Sequence, residues 1–165
     1  KGLILNMFHF FWPNLLELGF IVSLVTPILK ATKNGHIKSF YTESSFRSWW
    51  GGHSGTGWKI KYYKGLGTST SKEAQEYFKN IDRLTVGFSS TDATTESITL
   101  AFDKKMADAR KQWLLNTTRD GVKGIDYGNI QTISVNDFIY RDLVNFSLAD
   151  LKRSIAHLCD GLKPS

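Results

Sequence analysis

The stretch from Trp58 to Phe78 constrains the fold of this chain more than any other. Trp58, Ile60 and Tyr62 alternate with Lys59, Lys61 and Tyr63, the period of two that marks a half-buried strand. Gly65 and Gly67 interrupt the pattern, and glycine lets a backbone turn sharply or approach another group closely. Thr70 and Glu73 stand three apart, the spacing of a capping box, which predicts a helix starting near Ser71. A strand that carries Lys64 to a glycine turn before a helix N-terminus gathers free amides, the positive end of a dipole and an ammonium. That combination favours a phosphate. An ordinary βα connection with two glycines accounts for the same pattern. The order is not that of a Walker loop, where the lysine follows the glycines.

The chain has 165 residues, enough for one domain or parts of two. Hydrophobic residues make up 41% and aromatics 13%, which supplies a real core, and the formal charge is +6. A moderate positive excess suits a polyanion partner, although many basic globular proteins bind no nucleic acid. Cys159 is the only cysteine, which excludes an internal disulfide and suggests a reducing compartment. Together with His9, His36, His53 and His157 it shows no zinc-ligand spacing, so no structural metal is expected. Residues 2–16 are uncharged, but Asn6, His9, Pro13 and Asn14 make that run too short and too polar to span a membrane. Nothing resembles a signal cleavage site. Both ends read as cut.

Along the chain, Leu3, Ile4, Met7, Phe8, Phe11 and Leu15 give a helical apolar face. Pro13 should end that helix near Phe11 and start a second, with Gly19 as terminator. His9 and Trp12 read as core packing. Phe20 to Leu29 suggests one strand buried on both faces, with Pro27 near its end. Asn34-Gly35 between two extended runs is a hairpin signal. Thr42 to Trp50 reads as a short helix, and Gly51 to Gly57 as a surface loop with His53 in solvent. Leu84 to Phe88 suggests another strand. Ile98, Phe102, Met106, Ala109 and Trp113 predict a helix or a closely joined pair, with Lys104, Lys105, Arg110 and Lys111 on its solvated side. Asn116 to Asn129 looks like a linker. Ile133 to Phe138 should be extended, and a helix should follow with Ile139, Leu143, Phe146, Leu151 and Ile155 as its apolar positions.

Tyr63-Lys64-Gly65-Leu66-Gly67-Thr68-Ser69-Thr70-Ser71-Lys72-Glu73-Ala74 closely resembles a signature of type IIA DNA topoisomerases, in the latter part of their Toprim domain. Lys1-Gly2-Leu3-Ile4-Leu5-Asn6 with Trp12-Pro13 resembles the helix after that domain's acidic metal motif. Thr99-Leu100-Ala101-Phe102 and Arg110-Lys111-Gln112-Trp113-Leu114 resemble the segment that closes the Toprim region. Asp137-Phe138-Ile139, Phe146 to Asp150, Arg153-Ser154-Ile155 and Asp160-Gly161-Leu162-Lys163-Pro164 resemble the entry to the breakage-reunion region. Ala156 departs from the pattern, since proline commonly follows Arg-Ser-Ile there. Lys64 and Lys163 share one chain, as in the eukaryotic and large-virus form.

The resemblance implies an α/β fold: a Toprim-like (Rossmann-like) partial sheet with flanking helices, then the first helical elements of a winged-helix breakage-reunion domain. The implied domains are residues 1–115 for the C-terminal part of Toprim, 116–130 for a linker and 131–165 for the start of the breakage-reunion region. It further implies ATP-dependent passage of one duplex through a transient double-strand break in another, with Mg²⁺ and ATP serving the full-length enzyme. The acidic metal ligands are expected upstream of Lys1 and the nucleophilic tyrosine beyond Ser165, so this stretch alone should be inactive. Lys64 is expected to support catalysis. Lys64, Gly65, Gly67, Arg153 and Lys163 are expected at the DNA backbone. The implied partners are double-stranded DNA and a second copy in a homodimer, with no membrane. The implied location is intracellular, the nucleus in a eukaryote or the host cell for a virus. The alternative is a non-catalytic DNA-binding or scaffolding protein that retains such a surface.

Overall fold

The computed structural model describes the backbone of residues 1–53, 56–63, 68–120 and 122–160, and their side chains except at 119, 120, 129, 153 and 155–160. Helices α1 (Gly2–Phe11) and α2 (Pro13–Glu17) open the chain. Pro13 sits in the first turn of α2, where its missing N–H costs no helical bond. Gly19 follows with φ +66°, the left-handed conformation that ends the helical run. Next come β1 (Val22–Leu24), β2 (Leu29–Lys33), β3 (His36–Phe40), α3 (Glu43–Trp50), β4 (Lys59–Tyr62), α4 (Ser71–Lys79), α5 (Ile81–Leu84) and β5 (Thr85–Ser89). The remainder is α6 (Thr94–Phe102), α7 (Ala107–Asp120), β6 (Thr132–Ser134), α8 (Val135–Asp137), a π-helical turn (Phe138–Leu143) and α9 (Val144–Asp160).

The strands form two three-stranded sheets, ordered β1-β5-β6 and β3-β2-β4. The class is mixed α/β, as expected. β1 pairs antiparallel with β5, and β2 pairs antiparallel with both of its neighbours. The β2–β3 hairpin turns at Asn34 (φ +49°) and Gly35 (φ +80°), and positive φ at both positions is what a two-residue turn of this twist requires.

The chain divides into two compact units. One comprises Val22–Gly87 and Asp126–Thr132. Its apolar centre is Leu29, Ala31 and Phe40 with Ile28, Phe46, Trp49 and Trp58 packed around them. Phe40 meets Phe46 edge-on at 5.3 Å, and Trp58 meets Trp49 edge-on at 5.1 Å, geometries that add to plain area burial. Thr42 caps α3 by accepting the Ser45 amide at 3.1 Å. The other unit comprises Lys1–Ile21, Phe88–Ile125 and the chain from Ile133 onward. Its buried residues include Leu5, Leu16, Phe88, Ile98, Val135, Phe138, Ile139 and Val144.

Several expectations need correction. The apolar face read on the first helix is mostly open: Leu3 is 75% exposed, with Ile4, Met7, Phe11 and Trp12 also exposed. The buried positions are Gly2, Leu5 and Leu16. The helix is apolar nearly all round, so periodicity could not choose the packed side. His9 is half-buried and bonds Thr95 Oγ1 at 3.1 Å. The run Phe20 to Leu29 is two strands in different sheets, split around Pro27, which has no N–H for a ladder. β4 is exposed at all four positions. The burial of that stretch lies at its ends, in Trp58 and Tyr63.

α7 takes in Asn116 to Asp120, and Val135 to Phe138 are helical rather than extended. The π turn adds a residue per turn and shifts the helical phase, so Val144 is buried while Phe146 is 63% exposed and Leu151 is also exposed. His53 is not simply solvated: it stacks on Trp49 at 4.4 Å, and its Nδ1 lies 2.8 Å from the Trp49 carbonyl oxygen.

Gly35→Ala isolates the hairpin conformation, because nothing lies within 4 Å of an added Cβ there. The expected loss is about 1 kcal/mol of unfolding free energy, read by urea titration.

Candidate functional site

The strand–turn–helix stretch has a described frame. Strand β4 ends at Tyr62, and Tyr63 follows it into the core, its amide donating to the Ile28 carbonyl at 2.8 Å. On the far side, Thr70 caps α4 in a complete capping box. The Thr70 amide donates to Glu73 Oε2 at 2.8 Å, and the Glu73 amide donates to Thr70 Oγ1 at 3.3 Å.

Glu73 does more than close the box. Oε2 also accepts from Thr70 Oγ1 at 3.1 Å and from Lys61 Nζ at 3.0 Å. Oε1 accepts from the Tyr63 hydroxyl and pairs with Lys30 Nζ at 3.4 Å. The Glu73 side chain is only 18% exposed, and Lys30 as a whole is only 8% exposed. Lys30 Nζ lies 4.9 Å from the ring centre of Tyr77 and 5.4 Å from that of Tyr63. A cation near ring faces in a poorly solvated place is further stabilised by their quadrupoles.

These contacts set the charges. Burial alone would raise the Glu73 pKa. The bonds from the Thr70 amide, the Tyr63 hydroxyl, Lys61 and the Thr70 hydroxyl outweigh it and hold the carboxyl well below the usual range. Burial and the adjoining carboxylate push Tyr63 up to about 12, so its hydroxyl remains a donor at neutral pH. Burial disfavours the Lys30 ammonium, but Tyr77, Tyr63 and Glu73 raise its pKa above the ordinary value. Two cations thus face one anion beside the first turn of α4.

Of the site residues expected from sequence, Lys64, Gly65, Gly67 and Lys163 lie outside the described residues. Arg153 lies on α9, and its side chain is likewise outside them. The structure therefore describes what flanks Lys64: Lys61 and Tyr63 before it, Thr70 and Glu73 after it. Sequence reasoning took Glu73 only as a capping residue and passed over Lys30. The available signal was a lysine at the end of an apolar run, a residue type seldom buried unless paired.

The architecture is that of a mixed α/β protein whose edge strand leads into a capped helix. The family pattern described as "C-terminal associated domain of TOPRIM" matches residues 24–151, and the chain belongs to that family. It is similar over its whole length to a putative mitochondrial DNA topoisomerase 2 of Caenorhabditis elegans, with 47% identity. It is 45% identical over 99% of its length to DNA topoisomerase 2-alpha of Gallus gallus. It spans only 14% and 11% of those two relatives, respectively. A crystal structure of the Plasmodium falciparum topoisomerase II DNA-binding, cleavage and re-ligation domain superposes on 93% of this chain and 21% of that one. The TM-score is 0.83 at 40% identity.

The depressed Glu73 pKa carries a pH signature. A carboxyl whose folded pKa is lowered stabilises fully above its unfolded value, here 4.5, and the contribution fades as pH falls below it toward the folded value. Glu73→Gln should cost about 3 kcal/mol at pH 7, because it leaves Lys30 buried without its carboxylate. The gap between variant and parent should narrow between pH 4.5 and pH 2, measured by urea unfolding across that range.

Proposed function

We propose that this chain is part of an ATP-dependent type II DNA topoisomerase, which changes DNA topology by transient double-strand cleavage, strand passage and religation. The observation that carries the reading is similarity to DNA topoisomerase 2 along the whole chain, including the stretch around Lys64. In this reading residues 1–115 are the C-terminal part of a Toprim region, 116–130 a connection and 131–165 the opening of the breakage-reunion region. Double-stranded DNA is the substrate, a second copy completes a homodimer, and the location is intracellular, in the nucleus or an organelle that holds DNA. Among the described residues no helix is long and apolar enough to cross a membrane.

The contribution of this stretch is to hold the DNA backbone and support the cleavage centre. Lys64 supplies an ammonium, Gly65 and Gly67 allow the backbone a close approach, and the first turn of α4 offers its positive end to a phosphate. Arg153 and Lys163 add phosphate contacts where the breakage-reunion region begins. Such contacts position DNA without reading its sequence. Mg²⁺ and ATP belong to the full-length enzyme. No group of three or more His, Cys, Asp or Glu among the described residues could hold a metal ion. These residues do not fit a metal on their own, and the acidic ligands are assigned upstream of Lys1.

Plasmid relaxation by the full-length protein, with and without ATP, tests the enzyme reading. ATP-dependent relaxation is expected, and DNA binding without relaxation would favour the scaffold. Lys64→Ala should lower DNA cleavage about tenfold or more while changing DNA affinity less, and equal cleavage would remove Lys64 from the site. Arg153→Ala and Lys163→Ala should each weaken binding across sequences. Each should also reduce the slope of log affinity against log salt by about 1, measured by titration at several salt concentrations.

A further inference from the structure

Helices α7 and α9 pack on each other within the helical unit and leave a groove of about 470 Å³ between them. On α7 the lining positions run 107, 110, 111, 114, 115 and 118, one stripe along a helix face. At 1.5 Å per residue that stripe is about 16 Å long, roughly three turns. From α9 come 148, 151 and 152, spaced the same way. The apolar lining is Leu114, Leu115, Leu148 and Leu151, of which Leu115 and Leu151 are 52% and 45% exposed. The charged lining is Arg110, Lys111 and Lys152, and no described lining residue is acidic. Arg110 donates to the carbonyl oxygens of Leu100 and Asp103 at 2.9 and 3.2 Å, neutral acceptors that leave its charge in place. Among the described residues Lys111 and Lys152 have no ion-pair partner. Asp108 and Asp150 sit on the same two helices without lining the groove.

We propose that this groove docks an amphipathic helix with acidic margins, supplied by a separate protein. Two neighbouring helices form a trough that accepts a third, about 8–10 Å from each axis. Leucines spaced by three and four meet the same spacing on the incoming face. Carboxylates beside that face then meet Arg110, Lys111 and Lys152, and this charge match selects the partner. Obligate contacts are more hydrophobic than a groove that mixes four leucines with three cations, so the partner is one that comes and goes. A second copy of this chain fits poorly, because a twofold contact through the same surface sets basic margin against basic margin. A lipid surface needs apolar side chains that protrude, and these line a concavity. The proposal does not rest on the topoisomerase reading.

The test uses the full-length protein and two fluorescent peptides of about 14 residues, long enough to cover the groove. Both carry leucine at i, i+3, i+4 and i+7. One has glutamate at the flanking positions and the other has lysine. Fluorescence anisotropy should show the glutamate peptide binding about tenfold tighter or more, with the difference shrinking as salt rises. Leu115→Gln and Leu151→Gln keep a good helix former at each position and should each weaken that binding about tenfold, as losing the burial of one leucine does. Lys111→Glu combined with Lys152→Glu should reverse the preference between the peptides. If a leucine variant does not fold, the charge reversal carries the test. A glutamate peptide that binds no better than the lysine peptide overturns the proposal, and so does binding that these variants leave unchanged. Failure of both peptides to bind overturns it too, and sedimentation at several protein concentrations then shows whether a second copy covers the groove. Anionic vesicles bound in place of the glutamate peptide would likewise sink it. No arm reads DNA relaxation, so failure here leaves the topoisomerase reading as it stands, and failure of that reading leaves the groove.

Discussion

An ionised carboxylate withdrawn from water needs donors on every side, and an ammonium withdrawn beside it needs an acceptor as badly. Glu73 and Lys30 meet those demands for each other, and the arrangement of the sheet unit follows from that pairing. β2 is the middle strand of β3-β2-β4 and carries buried residues at Leu29, Lys30 and Ala31. Successive side chains of a strand point to opposite faces. Leu29 and Ala31 therefore share one face with the cluster of Phe40, Phe46, Trp49 and Trp58, while Lys30 points the other way to Glu73 and the rings of Tyr63 and Tyr77. One strand is buried on both sides, apolar on one and ionic on the other. Breaking the ionic side leaves a charge stranded where solvent cannot reach it, which is costlier than the worth of the pair suggests.

Much of the local structure was legible because it rests on short-range rules. Pro13, Asn34-Gly35, Thr42 and Thr70 with Glu73 each produced the turn or cap that their chemistry requires. What was not legible depends on partners distant in sequence. The alternation at Trp58 to Tyr63 is genuine, but an alternating pattern does not reveal whether a face is covered, and Ile60 and Tyr62 stay open. Lys30 and Glu73 are 43 positions apart, and no window long enough for periodicity contains both. Lys64 and its two glycines were singled out by their own pattern as an anion site, and resemblance supplied the DNA backbone as that anion, together with Arg153 and Lys163. The frame that flanks Lys64 was reached only through the fold.

The helical unit teaches a related lesson about phase. An α-helix advances 100° per residue, so a spacing of three or four positions maps onto one face only while that advance is kept. The π turn at Phe138–Leu143 takes more residues per turn, so each residue advances less than 100°, and beyond it Phe146 and Leu151 are exposed while Val144 is buried. α1 fails for a different reason. Leu3, Ile4, Met7, Phe10 and Phe11 surround Leu5 with comparable hydrophobicity, so the pattern holds no contrast to read. One error comes from a broken period and the other from a missing contrast.

A carboxylate beside the helix turn at which a phosphate is proposed to bind looks self-defeating, because like charges repel. The count of charges resolves this. Lys30 and Lys61 both pair with Glu73, so the cluster carries one net positive charge, and the carboxylate's field is cancelled at close range. The amides of the first turn of α4 add the positive end of the helix dipole in the same place. An anion approaching that turn therefore meets a positive potential fixed by groups already bonded to one another. Flexible lysines alone would have to give up rotamer freedom to bind it. Glu73 spends one cation's charge to hold the surrounding donors still, and preorganised dipoles gain their advantage from not having to move when charge arrives.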